Sequence, residues 1–130
     1  MKTVEELRNS SKEDTLSFIR ETLSFDKNIE SQLRHVDRSL FEKEHYRFEM
    51  SGDDDDTGEN VIHNQFILNK FAYLGIYNYV SYLHLHFYKG HPTLHLKYYL
   101  EDENLEYDLA GYTTSEIIYE ILKLTVLSDK

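Results

Sequence analysis

Residues 82–96 read YLHLHFYKGHPTLHL and hold four of the chain's seven histidines. Imidazole titrates near neutral pH and, when neutral, ligates borderline divalent ions, so the first question is whether these rings converge. A tight turn at Lys89 and Gly90 would pair Tyr88 with His91, Phe87 with Pro92, His86 with Thr93 and Leu85 with Leu94. His84 would then face His95, Leu83 would face Leu96, and Tyr82 would face Lys97. In that register leucine meets leucine, whereas a slip of one residue would set Leu85 against His95, so the apolar pattern selects it. Directly opposed β-carbons lie about 5 Å apart. Three imidazoles, from His84, His86 and His95, suit zinc or a similar divalent ion that keeps a fourth position for a nucleophilic water. Without a metal, the pair beside Lys97 and Tyr82 suits general acid–base work, with Glu101 or Asp102 as candidate orienting carboxylates. The plainer reading is a polar sheet face covered by a partner or by water, for which no cofactor is expected.

The elements that must position these rings follow from periodicity. Thr3 with Glu6 forms a capping-box pattern, Ser11 offers a second cap, and Leu16, Ile19 and Leu23 recur at helical spacing; a helix over 3–25 is expected, with a break at Asn9 to Ser11. A second helix is expected over about 29–41, carrying Ile29, Leu33, Val36 and Leu40 on one stripe. EHYRFEM alternates as a strand. VIHNQFILNKFAYLG is ambiguous: Ile62, Phe66, Lys70 and Tyr73 share a helical row, and helix is the expectation for its first half. A long hairpin over about 77–100 follows, then a shorter returning strand, NLEYDL. Thr113 with Glu116 caps a last helix whose Ile117, Ile118, Ile121, Leu122 and Thr125 form a wide buried stripe. The expected fold class is therefore α+β: an antiparallel meander packed by N-terminal helices and a C-terminal helix.

At 130 residues the chain is expected to form a single domain, residues 1–130, since no Ser/Gly-rich spacer divides it. No apolar run approaches the roughly 20 residues needed to span a bilayer, and MKTVEELRNSSKED has no apolar run of a secretory signal. With no cysteine, disulfides, thiolate zinc sites and cysteine nucleophiles are excluded, and a cytoplasmic location is expected. The net charge of −10 is concentrated. Asp53, Asp54, Asp55, Asp56 and Glu59 supply half of it, and Glu101, Asp102, Glu103, Glu106 and Asp108 the other half; the rest of the chain is neutral. Such fields repel phosphate backbones and anionic membranes and attract a cation or a basic protein.

DDDDTGENVIHN resembles the first half of an EF-hand calcium loop, with Asp53, Asp55, Thr57 and Gly58 at matching positions. Asn64 stands where the bidentate glutamate is required, so a solvated acidic turn is expected. Eleven tyrosines and seven phenylalanines make the chain aromatic-rich, and several tyrosines crowd the hairpin. Tyrosine joins an apolar body to a polar tip, the combination enriched at protein interfaces. No phosphate loop, GxSxG elbow, HExxH pair or basic aromatic face is present. The expected function is a non-catalytic binding module for a basic protein such as a nuclease, in the manner of small inhibitors, immunity proteins and anti-defence proteins. Its contact residues would be Asp53, Asp54, Asp55, Asp56, Glu59, Tyr82, Tyr88, Tyr99, Glu101, Asp102 and Glu103. The alternatives are a metal-binding or metal-dependent enzyme on His84, His86 and His95, and a homo-oligomeric structural protein.

Overall fold

The computed structural model describes residues 2–24, 46–49, 60–63, 68–88 and 91–128, with the backbone alone described for 24, 46–49, 60–63, 86–88 and 91. The helix expected over about 29–41, the acidic residues Asp53 to Asp56 and Glu59, and the Lys89–Gly90 turn lie outside these residues. The order of elements is α1 (Val4–Arg8), α2 (Lys12–Ser24), β1 (Tyr46–Glu49), β2 (Asn60–His63), β3 (Val80–Tyr88), β4 (His91–Tyr98), β5 (Leu105–Asp108) and α3 (Thr114–Leu124). The fold is α+β, with helices at both ends of the described chain and an antiparallel sheet between them.

Each helix begins where its sequence allows. The Thr3 hydroxyl accepts from the Glu6 amide at 3.2 Å while the Glu6 carboxylate accepts from the Thr3 amide, satisfying two donors that an open helix end leaves without partners. The chain then breaks after Arg8, and Ser11 restarts it by accepting from the Asp14 amide at 3.1 Å. Leu16, Ile19 and Leu23 on α2 are buried. Thr113 and Glu116 repeat the reciprocal cap at α3, and Ile117, Ile118, Ile121, Leu122 and Thr125 are all buried. Helices α2 and α3 pack together, with the Lys12 ammonium 5.4 Å from the centre of the Tyr119 ring.

The main sheet has the order β3-β4-β5, antiparallel throughout. The observed register opposes Tyr82 to Lys97, Leu83 to Leu96, His84 to His95, Leu85 to Leu94, His86 to Thr93, Phe87 to Pro92 and Tyr88 to His91, as the apolar matching requires. Leu85, Leu94 and Leu96 are buried, and Leu83, Leu105 and Tyr107 are partly buried against the same core. A bulge between Val80 and Tyr82 inserts Ser81 without a partner residue and adds local twist, its hydroxyl reaching the Lys97 carbonyl at 3.3 Å.

The reading of residues 61–75 needs correction. Val61, Ile62 and His63 belong to strand β2 and not to a helix; β2 pairs in parallel with β1, matching Arg47 to Val61 and Phe48 to Ile62, in a two-stranded sheet separate from the main one. β-branched residues favour extended backbone once a neighbouring strand is there to pair with, and that pairing outweighs the helical row suggested by spacing. Among the described residues after β2, Leu68 and Asn69 are helical and two 3₁₀ segments follow, Ala72–Leu74 and Ile76–Asn78, joined by Gly75 at φ 95°. They bury Leu74 and Ile76, while Phe71 meets Phe18 edge to face at 6.0 Å.

α1, the main sheet and α3 are tied together at the C-terminal end of α3, whose last carbonyls have no partners within the helix. The Tyr98 hydroxyl donates to the Leu124 carbonyl at 2.7 Å. Arg8 Nε and Nη2 donate to the Val126 carbonyl at 3.0 and 2.9 Å, and Nη2 also donates to the Tyr79 hydroxyl at 3.3 Å. A cation at this end also complements the helix dipole.

Candidate functional site

Because side chains alternate across a strand, the leucines committed to the core send the intervening residues to the opposite face. That outer face carries Tyr82 and His84 from β3, Thr93, His95 and Lys97 from β4, and Glu106 and Asp108 from β5. His84 and His95 are opposed, and His95 is in turn opposed to Glu106, so a row His84–His95–Glu106 crosses all three strands. His95 Nδ1 lies 3.9 Å from Glu106 Oε2, an ion-pair distance when the imidazole is protonated. The Tyr82 and His84 rings lie 6.1 Å apart, tilted by 57°. Both histidines are half-buried, whereas Glu106 and Asp108 are exposed.

The carboxylate beside His95 is thus Glu106. The signal for it lies in NLEYDL: once Leu105 and Tyr107 face the core, Glu106 and Asp108 must face outward, and pairing β5 to β4 delivers Glu106 to His95. Of the candidate ligands, His84 and His95 are brought together, and His86 is registered opposite Thr93 with its side chain outside the described residues. Among the described residues no group of three or more His, Asp or Glu side chains is placed to hold a metal ion.

The candidate contact residues divide between places. Tyr82 is 49 % exposed on the outer face. Tyr99 is 54 % exposed and sits just past β4, where its amide donates to the Tyr79 carbonyl at 3.2 Å. Glu101, Asp102 and Glu103 follow it as an exposed acidic connection to β5. Tyr88 is paired with His91 in the hairpin, with its side chain outside the described residues. Leu100 is fully exposed in the same connection, and nothing in its spacing distinguishes it from a core leucine. Tyr77, also exposed, lies in the 3₁₀ segment leading into β3, at the end of the sheet where Tyr99 is anchored. Burial of part of its ring raises the Tyr77 pKa.

Chemically, the outer face offers two half-buried imidazoles, one adjacent carboxylate and a lysine. The β4–β5 connection offers large apolar contacts beside concentrated negative charge. No described helix is long and apolar enough to cross a membrane. No protein-family model, curated protein or solved structure matches the chain.

Proposed function

We propose that this chain is a small acidic protein-binding module of the inhibitor or immunity type, acting in the cytoplasm on a basic protein such as a nuclease. The observation that supports this reading is an exposed tyrosine leading into an exposed acidic run in the β4–β5 connection, Tyr99 before Glu101, Asp102 and Glu103, with Tyr82 exposed on the outer face of the adjoining sheet. Aromatic side chains supply binding energy when a partner desolvates them, while carboxylates steer the encounter from a distance. A nuclease fits because its nucleic-acid channel is basic and an acidic protein can occupy it. Native mass spectrometry of untagged protein from its own host identifies the partner by the mass it adds. With that partner, the triple variant Glu101→Lys/Asp102→Lys/Glu103→Lys is expected to associate about tenfold more slowly at low salt. An unchanged association rate would refute charge-steered binding.

The opposition of His84 to His95 supports a second reading, a divalent metal site completed by His86. Calorimetry with Zn²⁺ separates the two: the site requires binding by the parent and its loss in His84→Ala/His95→Ala. Equal heats from both proteins would leave the histidines as face residues only.

A further inference from the structure

The backbone after β4 reverses in a turn from Tyr98 to Glu101, closed by the Glu101 amide donating to the Tyr98 carbonyl at 3.3 Å. Leu100 is its third residue and has φ 66°, the left-handed region that glycine or asparagine enters at least cost. A leucine there carries the steric penalty of its Cβ and, at 104 % exposure, recovers no burial. One residue thus combines strained backbone with an apolar side chain held out in water, and such strain clusters at sites that clamp ligands. Its neighbours define what fits. Tyr99, also exposed, precedes it, and three exposed carboxylates, Glu101, Asp102 and Glu103, follow. The border of negative charge disfavours a second copy of this chain, whose net charge is −10, as well as a nucleic acid.

Resting on the protein-binding reading above, we propose that Leu100, with Tyr99, is the apolar anchor of the interface, and that it seats on a protein surface whose apolar stripe is bordered by lysine or arginine, such as a basic amphipathic helix. Recognition then has two separable parts: carboxylates read the basic border, and the leucine reads the stripe.

The test uses two synthetic peptides with the same lysines, one an amphipathic helix of leucine and lysine, the other with glutamine in place of each leucine. Binding is followed by fluorescence anisotropy at low ionic strength. The parent is expected to prefer the leucine peptide by about tenfold, the effect of burying one exposed leucine. Leu100→Gly keeps the turn geometry and removes the side chain, so its preference is expected to fall to within about twofold, while Leu100→Met restores it. Because glycine relieves the strain, Tm of Leu100→Gly should hold or rise by about 2–5 °C. A preference that survives in Leu100→Gly overturns the anchor, as does a fall in Tm, which would make Leu100 a structural residue. A parent that binds both peptides equally overturns the anchor and leaves acidic protein binding standing. Failure of the parent to bind either peptide removes both readings.

Discussion

Tyr98 shows how much one side chain can do in this molecule. It belongs to the sheet through β4, yet its hydroxyl donates to the Leu124 carbonyl of α3 at 2.7 Å. Tyr98→Phe keeps the ring and removes that donor, so stability should fall by about 1 kcal/mol in urea denaturation. Burial, with a smaller contribution from Tyr107, raises its pKa above the ordinary 10.0, and burial also raises that of Tyr73, whose hydroxyl donates to the Lys2 carbonyl. The folded state therefore holds the neutral phenol more tightly than the unfolded chain does. Its contribution is complete below the ordinary pKa and is lost as pH rises through the folded one. Denaturation midpoints measured from about pH 8 to 11 should drop at the alkaline end, less steeply in Tyr98→Phe. At this scale the core was readable and the specialised residues were not. Leu85 and Leu94 announce themselves by pattern, whereas Leu100 looks the same in sequence and does the opposite in space.

At the scale of elements, what could be read was whatever local chemistry decides. Capping boxes name their own helix starts because donor and acceptor lie three residues apart, and both Thr3 and Thr113 sit where the pattern places them. Thr113→Ala should cost about 1 kcal/mol, read as a lower denaturation midpoint, because it opens the helix that covers the core. The hairpin register was legible for a related reason: matching leucines leave a single alignment that buries them all. β2 was not legible, since Val61 and Ile62 become a strand through β1, a partner whose alignment with them is written nowhere in the local spacing. The Glu106–His95 approach is of the same non-local kind, two strands having to be registered before the pair exists.

For the whole molecule, the deciding property is where charge sits relative to contact surface. Half of the net charge falls between Glu101 and Asp108; the fold sets Glu101, Asp102 and Glu103 at the end of the sheet where Tyr99 and Leu100 emerge, and Glu106 and Asp108 on the outer face of β5. Composition alone located the charge along the chain; the turn that joins it to an exposed leucine is a fact of three dimensions. Steering acts through the summed field and is screened beyond about 10 Å at 0.1 M salt, so the slowing expected on charge reversal should fade as salt is added, while the apolar anchor persists. The bonds from Arg8 to the Val126 carbonyl span 118 residues of sequence. During synthesis, then, α1 and α2 emerge long before α3, the helix that α2 packs against, exists. Because Val126 lies just past α3, the buried face of that helix and the backbone acceptor of Arg8 reach the core together.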